Sequence, residues 1–119
     1  MGRHVLMDIE QADPELLNDP QYITDLLESA AAFIGVTVLH THSHQFSPQG
    51  VTAFVMLAES HMSIHTWPES GDAAVDVFTC GEADPREAAD FIMNGLGGWS
   101  HETNTIMRYK LDNPGVRDL

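Results

Sequence analysis

Positive charge is scarce in this chain of 119 residues, where five Lys and Arg stand against 18 Asp and Glu for a formal net charge of -13 at neutral pH. Such a surface repels a phosphate backbone, which excludes nucleic acid as an expected partner, and it attracts small cations. The same acidity also serves solubility or a salty environment. Cysteine is nearly absent, and a lone Cys80 cannot form an intrachain disulfide. No apolar run reaches the roughly 18 residues of a membrane span. The opening MGRHVLMDIE has neither a long apolar segment nor the Ser or Thr at position six of a myristoylation signal. Together these absences predict a cytoplasmic protein without a membrane partner. With 43% hydrophobic residues and no internal repeat, the length suits a single domain over residues 1–119.

What is present reads as alternating strand and helix grammar. Val5, Met7 and Ile9 alternate with His4, Leu6 and Asp8, the pattern of a strand with one buried face. Around residues 18–35 the period lengthens. Asp19 can cap, Pro20 suits the first helical position, Tyr22, Leu26, Leu27, Ala30 and Phe33 or Ile34 form a stripe, and Gly35 can end the helix. Strands are expected from Val36 to Phe46, from Val51 through Ser60, from His61 to Trp67, and from Ala73 to Gly81, with SPQG at 47–50 as a turn. Asp84 and Pro85 open a second helix with Ala88, Phe91, Ile92 and Leu96 inward, and Thr103 to Leu111 reads as a last strand. The order β-α-β-β-β-β-α-β predicts an α+β two-layer sandwich, a largely antiparallel sheet with two helices on one face. The other face, carrying His61, Ser63 and His65, must then meet water, a site or another subunit.

Two candidate chemistries follow directly from residue types. His40, His42 and His44 alternate and share one strand face, but positions i and i+4 lie roughly 13 Å apart along a strand, so no metal site is expected there. A conventional serine hydrolase is also poorly supported, because Ser60 lacks the G-x-S-x-G elbow and neighbouring strand side chains point to opposite faces, away from His61.

The stretch ESHMSIHTWPE at 59–69, followed by AAVDVFTCG at 73–81, resembles the prokaryotic type of S-adenosylmethionine decarboxylase proenzyme, and weaker likeness runs from GRHVL through both helices. The resemblance implies a pyruvoyl-dependent enzyme that cuts itself between Glu59 and Ser60, giving fragments 1–59 and 60–119. The Ser60 hydroxyl would attack the Glu59 carbonyl, and elimination across the resulting ester would leave a pyruvoyl group at residue 60. His65 corresponds to the processing base, a task that suits an imidazole at neutral pH. Thr52 stands where the family often has a serine whose hydroxyl assists the acyl shift. Cys80 corresponds to the proton donor that completes decarboxylation, Phe46 to the aromatic that stacks on adenine, and Glu69 to the carboxylate that binds ribose hydroxyls. The resemblance further implies a cationic substrate, S-adenosylmethionine, whose product feeds polyamine synthesis, and a homodimer with sites where two protomers meet. Arginine or ornithine decarboxylation on the same scaffold, and an unprocessed binding module, are the alternatives. The resemblance assigns nothing to His40, His42 and His44.

Overall fold

A computed structural model describes residues 2–108. Three Asp-Pro pairs start the three helices found among the described residues. Asp13 caps α1 (Pro14–Leu17), Asp19 caps α2 (Pro20–Phe33) and Asp84 caps α3 (Pro85–Gly95), each carboxylate accepting from backbone N–H groups of the first turn while the proline takes the position whose N–H would be orphaned. The short α1 adds a third helix to the two expected. Its four residues are too few for a hydrophobic period, yet it carries the same Asp-Pro signal.

Six strands, β1 (Gly2–Glu10), β2 (Val38–Gln45), β3 (Val51–Leu57), β4 (Ser60–Trp67), β5 (Asp72–Cys80) and β6 (Trp99–Arg108), form one antiparallel sheet in the order β2-β3-β4-β5-β1-β6. β6 begins at Trp99 rather than Thr103, because its pairing with β1 continues past a register shift to Glu10. The expected strand end at 109–111 lies outside the described residues. β3 stops at Leu57, three residues short of expectation, since Ala58 and Glu59 make the turn of a hairpin in which Leu57 pairs with Ser60.

Helices α2 and α3 pack on one face of the sheet, over β2 and β3 and over β5 and β1 respectively. That face supplies Val5, Met7, Ile9, Val55, Leu57, Met62, Ile64 and Val77, and the helices add Ile23, Leu27, Ala30, Ala88 and Ile92, all buried. Burying a side chain of the Ile or Leu class stabilises by about 1.5–3 kcal/mol, so this layer fixes the strand register. The α2 stripe runs through Ile23 and Ala31 rather than through Phe33, which is 60% exposed and packs on Phe91.

No helix covers the opposite face among the described residues, and the pairing lays its side chains in rows. One row crosses all six strands as His40, Met56, His61, Phe78, His4 and Ile106. The next reads His42, Phe54, Ser63, Asp76, Leu6 and Asn104, and a third His44, Thr52, His65, Ala74, Asp8 and Glu102. The histidine triplet therefore forms the β2 edge of the open face. Leu6, Phe54, Met56 and Ile106 are each about two-fifths or more exposed there, an unusual set of apolar groups to leave in water.

Candidate active site

The residues to which the resemblance gives roles gather at two ends of the sheet. At one end β4 places His65 opposite Thr52 of β3, and the Thr52 hydroxyl lies 2.9 Å from His65 Nδ1. Around this pair Phe46, Gln49, Gly50, Thr66, Trp67 and Glu69 close a cleft of about 290 Å³, near the lower limit for small-molecule sites, roughly 300 Å³. Its floor is tied down by Thr66, a buried hydroxyl that accepts from Val51 N–H at 2.9 Å and donates to the Leu17 carbonyl at 2.7 Å. Asn18 braces the rim by accepting from Gly50 N–H at 2.9 Å. Phe46 and Trp67 remain half exposed, with His44 edge-on to Phe46 at 4.7 Å between ring centroids.

Ser60 and Cys80 lie at the other end. Ser60 follows the hairpin turn, and Glu59 before it sits at φ 61, in the left-handed region that costs a side chain other than Gly, Asn or Asp roughly 1–2 kcal/mol. Cys80 is a free, partly exposed thiol on β5, on the open-face side two residues past Phe78, which pairs with His61. The turn beyond it is held by Thr79 and Arg3, both of which donate to the Ala83 carbonyl at 2.8 Å. His65 lies five positions along β4 from Ser60, about 16 Å at the usual rise. Within one chain the His65 imidazole and the serine cannot meet.

Between the ends lies a cluster that sequence reasoning did not find. Asp76 on β5 accepts from His4 Nε2 at 2.7 Å and His61 Nε2 at 3.0 Å, both on Oδ2, and Ser63 donates to its other oxygen. Burial pushes the Asp76 carboxyl upward, but the hydrogen bonds from His61, Ser63 and His4 outweigh it and hold the group well below the usual carboxylate range. The four residues come from β1, β4 and β5, so only the strand order brings them together. His4 and Asp76 do occupy polar positions facing away from apolar neighbours, the one signal available in sequence. By residue type and spacing His4, His61 and Asp76 could surround a metal ion. Both Nε2 atoms, however, are spent as donors to one carboxylate oxygen, so an ion would have to displace both hydrogen bonds. The exposed rings of His40 and His42 stack 6.4 Å apart instead of converging.

A family model described as S-adenosylmethionine decarboxylase matches residues 3–109. An S-adenosylmethionine decarboxylase proenzyme from Symbiobacterium thermophilum is 48% identical over 98 residues, 82% of this chain and 74% of the relative. One from Caldicellulosiruptor saccharolyticus is 45% identical over 118 residues, 98% of this chain and 94% of the relative. The crystal structure of the adenosylmethionine decarboxylase from Aquifex aeolicus superposes with a TM-score of 0.78 at 37% identity, covering 89% of this chain and 87% of that one. A free, partly exposed cysteine, a strained turn before a serine, and a hydroxyl-imidazole pair beside a cleft thus sit on a sheet whose sequence and shape match proenzymes of one kind, and the chain belongs to the S-adenosylmethionine decarboxylase family.

Proposed function

We propose that this chain is a self-processing, pyruvoyl-dependent decarboxylase of S-adenosylmethionine, cut between Glu59 and Ser60 into fragments 1–59 and 60–119, working in the cytoplasm as a homodimer. The observation that carries the reading is the separation of the two ends. The Glu59–Ser60 turn and Cys80 stand at one end of the sheet, and Thr52, His65, Phe46 and Glu69 at the other. A second copy laid face to face across a two-fold axis brings the first end of each protomer against the second end of its partner, completing two sites and covering Leu6, Phe54, Met56 and Ile106.

In such a site each residue has a physical task. The strained φ of Glu59 raises the energy of the uncut turn, and the partner-facing pair of Thr52 and His65 supplies a hydroxyl donor and an imidazole base to the Glu59–Ser60 linkage. Ser60 is the source of the group, and its partial exposure beside the turn leaves room for that conversion. A pyruvoyl group at residue 60 supplies a ketone that holds the substrate amine and accepts the electrons released with carbon dioxide. Cys80 returns a proton to the substrate carbon. Phe46 offers a flat face to adenine and Glu69 a carboxylate to the ribose hydroxyls, while the net charge of -13 draws in a sulfonium. The names of the relatives favour S-adenosylmethionine over arginine or ornithine.

The test is an intact-mass spectrum of fresh protein, carbonyl labelling of the second fragment, and mass detection of the amine formed from each of the three substrates. Two fragments, a labelled residue 60 and decarboxylated S-adenosylmethionine are expected. A persistent single chain refutes the processing reading, and agmatine or putrescine as the preferred product refutes the substrate.

A further inference from the structure

The proposed chemistry leaves the groups around Asp76 unused. An ionised carboxylate can only accept hydrogen bonds, so each imidazole that reaches it presents an N–H. His61 therefore presents Nε2–H to Asp76 at 3.0 Å, and in the neutral ring Nδ1, on the side nearer the main chain, is the basic nitrogen. Phe54 and Phe78 flank this ring with centroids 5.7 and 5.8 Å away, which restricts its rotation. His4 and Ser63 hold the carboxylate from other directions.

Residue 61 is also the residue to which the new terminus of the second fragment is joined. Alternation of strand side chains places the His61 ring badly for the Ser60 hydroxyl. The electrophilic carbon of a pyruvoyl group is instead the former Cα of residue 60, a main-chain atom about 3.8 Å from the Cα of His61. We infer, resting on the pyruvoyl reading above, that His61 Nδ1 moves the protons that let the substrate's α-ammonium group join residue 60, and that Asp76 is the residue positioning that ring. The balance is closed. Two protons of the ammonium pass in turn by way of Nδ1 to the ketone oxygen, which leaves as water, the nitrogen keeps the third proton and the positive charge, and His61 ends as it began. This task is separate from those of His65 and Cys80.

The test compares wild type with His61→Gln, which keeps an N–H for Asp76 but has no basic nitrogen, and with Asp76→Asn. Intact mass reads cleavage, ¹⁵N chemical shifts of the ring read its tautomer, and reductive capture of S-adenosylmethionine with cyanoborohydride, seen as mass added to the second fragment, reads joining apart from turnover. Both variants are expected to be cut and to carry the carbonyl. Capture at neutral pH should fall about 100-fold in His61→Gln, within the range for a lost general acid-base. Wild type should show His61 protonated on Nε2, with Nδ1–H appearing in Asp76→Asn. Capture at the wild-type rate by cleaved His61→Gln overturns the inference and leaves the pyruvoyl reading intact. A wild-type ring protonated on Nδ1, or failure of His61→Gln to be cut, also overturns it. Absence of the carbonyl from wild type instead overturns the reading beneath it. Should Asp76→Asn fail to fold, His61→Gln and the wild-type tautomer carry the test.

Discussion

Co-expression of two inactive chains tests the composite site. Ser60 and His65 lie about 16 Å apart along β4, and a general base must come within roughly 3 Å of its proton. No rotamer of an imidazole spans that gap. A His65→Ala chain should therefore stay uncut as a homodimer, since each of its serines faces a partner lacking the base, and a Ser60→Ala chain cannot be cut at all. In a mixed dimer the two mutations fall into the same site, so the other site has an intact Ser60 on the His65→Ala chain and an intact His65 on its partner. With random pairing at equal expression, roughly half the dimers are mixed, and roughly a quarter of all chains should appear as fragments, every one derived from the His65→Ala chain. Tagging the two chains with different masses makes the origin legible in one spectrum. Fragments from His65→Ala expressed alone, or none from the mixture despite proven mixed dimers, would refute the argument.

Four further outcomes follow from single residues. Cys80→Ala should be cut normally, because the acyl shift and elimination proposed for Ser60, Thr52 and His65 make no use of its thiol, but lose productive turnover, as a product assay on the cleaved protein will read. Glu59→Gly removes the left-handed strain at φ 61; cleavage should slow by up to roughly tenfold, the equivalent of about 1.4 kcal/mol, and a faster cut would argue that the strain plays no part. In the uncut Ser60→Ala background, Thr66→Val leaves Val51 N–H and the Leu17 carbonyl without their buried partner, so urea unfolding should show a loss of about 2–4 kcal/mol. In the same background Asp76→Asn should cost about 2 kcal/mol at neutral pH; because the folded pKa of Asp76 is lowered from 3.8, its contribution is present above that value and lost as pH falls through the lower folded one, so the two stability curves should converge only in strong acid.

Much of the fold was legible because the core pattern and the caps agree. Val5, Met7 and Ile9 of β1, Met62 and Ile64 of β4, and Ala73, Val75 and Val77 of β5 put apolar groups at every second position, which fixes both the strands and the face each side chain joins. The Asp-Pro pairs announce the helices, and α1 escaped only because four residues cannot display a period. The pairing of Thr52 with His65 was within reach, since a hairpin centred on Ala58 and Glu59 counts outward to it residue by residue. The cluster at Asp76 was not. Its members are joined by the placement of β1 between β5 and β6, a non-sequential neighbour that no local spacing encodes.

On the proposed reading, the hairpin at Glu59 explains why one sheet would need two copies to make one site. A tight turn lets the chain adopt a strained φ at the residue to be cut, which favours the turn as the place for Ser60. The same hairpin makes β3 and β4 run straight away from that turn, so any partner residue on either strand that is far enough along to line a cleft is already too far to reach Ser60. Bending the strand back would bury its polar face or break the ladder that holds Met62 and Ile64 in the core. The proposed two-fold partner would resolve the conflict without bending, because antiparallel stacking of two identical faces would set each turn opposite the other's cleft, and it would cover the exposed Leu6, Phe54, Met56 and Ile106 in the same step.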